Sequence, residues 1–152
     1  MLLLPIALAA GSVIAPCVGF EANLRVEKAV VQKGGAPTFK LAVKNTSDKP
    51  LRILDTRGGR RGDLNDNYYR LQVETERGTR PDLMTAISDP GPVSKADFAF
   101  IRSGETAEIT VTTPFALEEL PKGKYRAHVE VQMDPYRNES QCRSTSASFR
   151  VQ

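Results

Sequence analysis

From residue 38 onward the chain alternates apolar and polar positions. In "TFKLAVKN", Phe39, Leu41 and Val43 are separated by polar or small residues, so an extended segment would bury one face and wet the other. The same period of two runs through "YYRLQVE" (Tyr69, Leu71, Val73) and "AEITVTT" (Ile109, Val111). It recurs in "YRAHVEVQM" (Tyr125, Ala127, Val129, Val131, Met133) and "SASFRV" (Ala147, Phe149, Val151). "LRVEKAVV", "LRIL" and "DFAFI" are shorter candidates. No segment sustains a helical period, although "FALEEL" has room for one turn. Turn-forming stretches rich in Gly, Pro, Asn, Asp and Ser separate the strands: "KGGAP", "NTSDKP", "ERGT", "SDPGP", "RSGE" and "LPKGK".

Roughly seven to eight strands at this spacing predict an all-β fold, an antiparallel immunoglobulin-like β-sandwich. "LPKGKY" sets a turn directly before Tyr125. That is the arrangement of a tyrosine corner, in which the phenol bonds back to nearby backbone.

The N-terminus is of another kind. "MLLLPIALAAGSVIAPCVGF" has no charged side chain and is almost wholly apolar. It is rich in Pro, Gly and Ala and sits where a secretory signal sits. Cleavage after Gly19 would place small residues, Cys17 and Gly19, where signal peptidase reads them. The expected organisation is a signal peptide over 1–19 and one sandwich domain over 20–152, with no membrane span. The protein is then secreted or periplasmic. A lipid anchor on Cys17 is the alternative, against which Pro16 argues. After such cleavage Cys142 is the single cysteine, set in a turn as a free thiol; if Cys17 is retained, a Cys17–Cys142 bridge becomes available.

Composition removes whole classes of chemistry. The 152-residue chain carries a formal net charge of +3, with mixed signs along its length. No Lys/Arg run interleaves with aromatics, so nucleic acid is not an expected partner. The single histidine, His128, falls in the outward phase of its strand and reads as exposed. One histidine cannot build a His-Glu-x-x-His zinc site, and no Gly-x-Ser-x-Gly elbow or phosphate-binding glycine motif occurs. The reading is therefore not an enzyme, with no cofactor and no resident metal.

One stretch asks for a closer look. "RGGRRGDLNDNYYRLQVE" contains Arg61-Gly62-Asp63, the tripeptide of adhesion ligands, and it approaches a calcium loop at Asp63, Asn65, Asn67 and Glu74. The calcium pattern fails at its sixth position, where Tyr68 replaces the turn glycine. It also runs into a strand, along which each residue advances about 3.3 Å, carrying Glu74 away from Asp63. The expectation is an exposed, mobile loop over 56–67 whose tip residues Arg57, Arg60, Arg61 and Asp63 form a polar contact surface. Two sequons, at Asn45 and Asn138, fall in expected turns.

"FKLAVKNTSDKPLRIL", "YYRLQV", "IRSGETAEITV" and "LPKGKYRAHVEV" together resemble the single-domain sandwich of the bacterial intracellular proteinase inhibitor family. With "LRILDTRGG" they also resemble the pro-domain of deuterolysin-type metalloendopeptidases. The resemblance covers most of 24–133 and implies a protease as partner, met through 57–67 or 81–97, the two longest connections. The residues themselves imply an exported, non-catalytic protein-interaction module that binds another exported protein. The resemblance adds the alternative of a proteinase inhibitor or a free-standing chaperone of an exported protease.

Overall fold

The computed structural model describes residues 14–81, 91–113, 115–134 and 139–152. Its strands are β1 (Phe20–Val26), β2 (Val30–Val31), β3 (Phe39–Asn45), β4 (Leu51–Leu54), β5 (Tyr69–Thr75), β6 (Phe98–Ile101), β7 (Thr106–Val111), β8 (Gly123–Asp134), β9 (Glu139–Arg143) and β10 (Ala147–Val151). One sheet has the order β1-β3-β7. The other has the order β2-β10-β8-β5, with β9 also paired to β8. β4 and β6 form a separate ribbon. All pairs are antiparallel except β2 with β10. "FALEEL" does form a single 3-10 segment, Phe115–Glu119.

The alternation read from the sequence selects the inner faces. Phe39, Leu41, Val43, Ile109, Ala127 and Val129 are all essentially inaccessible. Phe39 of one sheet meets Phe149 of the other edge-on at 5.6 Å between ring centroids, and Phe149 stacks on Tyr125 at 5.4 Å. Each large side chain buried this way contributes about 1.5–3 kcal/mol. The Tyr125 hydroxyl donates to the Pro121 carbonyl at 2.6 Å, so the tyrosine corner is present.

Three local expectations change. "LRVEKAVV" is not one strand. The chain leaves the first sheet after Val26, crosses at 27–29 and joins the second as β2, parallel to β10. β9 was not expected, since "ESQCR" has no alternation, yet it pairs with β8 through Val131 and Cys142. Cys142 therefore lies in a strand and is not a free thiol: it is bonded to Cys17, 125 residues away, with 4.8 Å between Cα atoms. The chain before β1 belongs to the same structure. The Arg143 amide donates to the Ala15 carbonyl at 2.9 Å, Pro16 bridges Arg143, and the Thr46 amide donates to the Gly19 carbonyl.

Asn45 shows how a turn is built at the end of β3. Its Nδ2 donates to the carbonyls of Lys49 (2.7 Å) and Ile101 (2.9 Å), and its Oδ1 accepts from the amide and hydroxyl of Ser47. The amide that a glycan would need is thus buried and occupied. The Asn138 sequon lies outside the described residues.

The long Cys17–Cys142 loop makes a direct prediction. Cys142→Ser should cost about 2–5 kcal/mol, because the bond restricts the unfolded chain. Tyr125→Phe, which deletes one buried-end hydrogen bond, should cost about 1 kcal/mol. Urea denaturation of the oxidised protein measures both, and an unchanged midpoint for Cys142→Ser would mean that the bond does not form.

Candidate functional site

The segment between β4 and β5 is held from below before anything shows at its tip. Leu64 is fully buried in the core, and Asn65 is almost as inaccessible. Asn65 Nδ2 donates to Thr56 Oγ1 (3.3 Å) and to the Thr110 carbonyl (3.2 Å), while its Oδ1 accepts the Thr112 amide at 3.0 Å. A one-turn helix, Asn65–Tyr68, then leads into β5, where the Tyr69 hydroxyl donates to the Leu54 carbonyl at 2.8 Å.

Above this base lie two 3-10 turns, Arg57–Gly59 and Gly62–Leu64. Gly58 and Gly59 take φ of 66° and 80°, which glycine adopts freely. Between the turns Arg61 takes φ 43° and ψ 41°, the one left-handed non-glycine among the described residues. Its side chain holds it there. The guanidinium makes five hydrogen bonds: to both Asp63 oxygens (3.0 and 3.1 Å), to Asp97 Oδ2 (2.8 Å), and to the carbonyls of Pro92 and Gly91 (both 3.1 Å). Asp97 Oδ2 also accepts the Ser94 amide at 2.7 Å, closing a capping box at the 3-10 turn Lys95–Asp97.

The structure therefore joins 57–68 to 91–97. The two longest connections of the sequence meet at one arginine, although residues 82–90 lie outside the described residues. Arg57 is held by Asp55 in a bidentate pair (2.7 and 3.1 Å), and Arg60 donates to the Ala96 carbonyl at 3.1 Å. The tip is exposed, as expected, but bonded into place where a mobile loop was expected. Of the expected contact residues, Arg57, Arg60 and Asp63 stay exposed, while Arg61 turns inward as the clamp. Asp55, Asp97 and Ser94 complete the site. The sequence signal for the last two was the Ser-x-x-Asp spacing in "SKAD".

These contacts set the charges. The Arg57 hydrogen bond holds the Asp55 carboxyl below the usual carboxylate range, and the Arg61 hydrogen bond does the same for Asp63. Asp97 is lowered first by the Ser94 backbone and then by Arg61. Two rival readings of the stretch lose their groups. Arg61 and Asp63 spend themselves on each other, so the tripeptide is not displayed as two free charges. Asn65, a would-be calcium ligand, points into the fold, and Glu74 pairs with Arg126 at 3.1 Å. Among the described residues no group of three His, Cys, Asp or Glu is placed to hold a metal.

His128 corrects the sequence reading in another way. It lies on the outward phase of β8 yet is only 2% exposed. β8 is an inner strand, and His128 sits opposite Gln72 of β5. Its Nδ1 is buried without a partner. Burial, reinforced by the charges of Arg143, Arg80 and Arg126 and opposed by Glu74, pushes its pKa down to about 4.

Beyond the loop pair, the ribbon exposes Phe100, and Arg52 lies over the Phe98 ring at 4.1 Å. A cleft of about 690 Å³ runs along the β2–β10 edge between Val30, Lys124, Tyr125 and Phe149, and no expected contact residue lines it. No helix among the described residues is long and apolar enough to cross a membrane.

No protein-family model and no curated protein matches the chain. Among solved structures, the CARDB domain of a Pyrococcus furiosus protein in complex with di-metal ions is 14% identical, with a TM-score of 0.39, over 90% of this chain and 92% of that one. A β-glucosidase from Listeria innocua in complex with glucose is 16% identical with a TM-score of 0.39, over 87% of this chain but 16% of that one. The periplasmic chaperone SfaE is 13% identical with a TM-score of 0.36, over 86% of this chain and 57% of that one. None of these likenesses carries a ligand or an activity across. The chain's own topology, with β2 parallel to β10 at the sheet edge and a tyrosine corner at β8, makes it an immunoglobulin-like β-sandwich domain.

Two outcomes test this geometry. Arg61→Ala should raise amide hydrogen exchange across 57–68 and 91–97 while leaving β8 protected; unchanged exchange in both segments would show that the clamp holds nothing. For His128 the folded state disfavours the proton. Its contribution is complete above the unfolded pKa near 6.5 and is lost as pH falls from there toward 4, by about 3 kcal/mol. The stability difference between pH 7 and pH 4.5 should therefore shrink in His128→Gln relative to wild type, read by urea titration at both pH values.

Proposed function

We propose that this protein is an exported, non-catalytic protein-interaction module, secreted or periplasmic, whose recognition surface is the exposed tip at Arg57, Arg60 and Asp63. The observation that carries the reading is the Arg61 clamp, which fixes the tip on a base formed by Leu64, Asn65 and the 91–97 segment. Rigid presentation lowers the ordering cost of binding, and arginine is enriched among residues that dominate interfaces. Arg60 keeps most of its guanidinium donors free, which suits carboxylates or carbonyls on a partner.

Two independent features support export. The first 19 residues are apolar and carry no charged side chain. The Cys17–Cys142 bond is of the kind that forms and persists in oxidising compartments. A lipid thioether on Cys17 and this bond exclude each other, so the soluble form is the reading favoured. The resemblance to proteinase inhibitors and protease pro-domains names one class of partner, an exported protease. The union of 57–68 with 91–97 favours it to this extent: a loop bonded along its length resists entering a protease as an extended substrate.

Affinity capture from the native host's envelope or secretome tests the proposal. Wild-type protein should recover a specific partner, and Arg60→Glu, which removes one exposed hydrogen bond, should lose it with little change in melting temperature. Equal recovery by that variant, or no partner above background under several growth conditions, contradicts the surface assignment. A captured protease whose rate falls on adding the protein would identify the inhibitory form of the module.

A further inference from the structure

In an antiparallel pair, residues that bond across the ladder alternate with residues whose N–H and C=O point away from the partner strand. One bond therefore fixes the phase of a pair. β1 and β3 share the bond from the Thr46 amide to the Gly19 carbonyl, so Ala22 and Leu24 point outward. There the Ala22 carbonyl accepts the Thr145 amide, and the Leu24 amide donates to Thr145 Oγ1. β3 and β7 share the bond from the Asn45 amide to the Glu105 carbonyl, so Thr110 and Thr112 point outward, onto the Asn65 side chain. β9 is met by Ala15 and Pro16 at Arg143. At these points other parts of the chain cover the edges of the two main sheets.

The β4–β6 ribbon differs. The Asp55 amide donates to the Asp97 carbonyl at 2.9 Å, one step beyond the Leu54–Phe98 pair. The ladder is then carried by Ile53 with Ala99 and by Leu51 with Ile101, and Phe98 and Phe100 turn their main chain outward. Both ends of this edge are closed locally. The Phe98 amide donates to the Lys95 carbonyl, and the Arg102 amide donates to Glu105 Oε2 at 3.1 Å. Between them, the Phe98 carbonyl and both main-chain groups of Phe100 have no partner among the described residues. The strand "FAFI" carries no charged side chain, and Phe100 is 68% exposed. An open edge receives another strand unless charges, prolines or a cover blunt it.

The charges around this window are one-sided. Asp55 is taken by Arg57, Asp63 and Asp97 are taken by Arg61, and Glu105 is taken by the Arg102 amide. Arg52, opposite Phe100, has no carboxylate partner among the described residues, and neither do Arg60, Lys95 and Arg102 at the two ends. Arg60 is held beside the start of β6 by its bond to the Ala96 carbonyl.

We propose that the Phe100 edge of β6 is a strand-addition site for an acidic, extended segment of a partner protein. The segment's main chain exchanges an N–H···O pair with Phe100 and donates to the Phe98 carbonyl. An apolar side chain covers the Phe100 ring, and carboxylates at the segment's ends meet Arg60 and Lys95 on one side and Arg102 on the other. The cations favour such a segment over a second copy of this chain. Pairing β6 with itself so that Phe98 matches Phe100 would set Arg102 of one copy against Ala96 of the other, where Arg60 already lies, like charge on like. The inference rests on the interaction-module reading and deepens it: Arg60 is shared with the tip, and the edge adds main-chain recognition.

The probe is a capped peptide of alternating valine and threonine with two glutamates at each end, titrated into the isotope-labelled, oxidised protein. It should shift the backbone NMR signals of 98–102 and slow exchange of the Phe100 amide. A peptide with lysines in place of the glutamates should bind at least about tenfold more weakly. Phe100→Thr, which keeps the edge main chain and removes only an exposed ring, should also weaken binding about tenfold with little change in melting temperature. No shift at 98–102 with millimolar peptide overturns the proposal, as does equal binding of the acidic and basic peptides. So does binding that survives N-methylation of alternate peptide bonds in the probe. Loss of the native partner in Arg60→Glu, with no peptide binding, would leave the tip reading intact and remove strand addition. Peptide binding as expected, with the native partner retained by Arg60→Glu, would remove the tip reading and leave the edge site.

Discussion

Wherever a strand of this sandwich ends inside the protein, its backbone N–H and C=O groups must find partners, because a buried unpaired group costs about 1–3 kcal/mol. Here side chains supply those partners. Asn45 closes the end of β3, and Asn65 closes the end of β7 by accepting the Thr112 amide and donating to the Thr110 carbonyl. Ser144 spans the break between β9 and β10, its hydroxyl accepting the Val129 amide at 2.8 Å and donating to the Thr145 carbonyl. Thr145 in turn accepts the Leu24 amide, tying the second sheet to β1 of the first. The apolar core sets the two layers, and these polar groups fix where each strand stops.

Arg61 applies the same constraint at the surface. The carbonyls of Gly91 and Pro92 and the carboxylates of Asp63 and Asp97 would face water without it. By collecting them, one left-handed residue turns two loops into one body. The acid–base state follows: Asp55, Asp63 and Asp97 are held toward the ionised form by the donors that position them, whereas burial raises Asp66. His128, held neutral within the second sheet, titrates in a milder range and reports on the sandwich wall.

The fold was legible because its strands alternate. Phe39 to Val43, Tyr69 to Val73 and Tyr125 to Val131 each bury the residues that the period of two selects, and the turn before Tyr125 announced the corner. What was not legible depends on neighbours in space. His128 occupies an outward position by period yet is buried opposite Gln72 of β5, while Arg126, two residues earlier on the same face, stays exposed. β9 carries no alternation because the disulfide and the ladder to β8 hold it. At the candidate site the exposed tip could be read from glycines and charges. The inward turn of Arg61 could not, since its partners at 91–97 are distant in sequence and two of the five bonds go to backbone carbonyls, which no residue type encodes.

The central claim is that recognition uses the Arg61-clamped tip. The most direct measurement is site-specific photo-crosslinking in the native host, with a photoreactive residue at position 60 and, as control, at position 25, an exposed site on β1 whose arginine pairs with Glu108. The account predicts one discrete crosslinked partner from position 60 and none from position 25. Crosslinking from position 25 alone, or the same species from both, would contradict it.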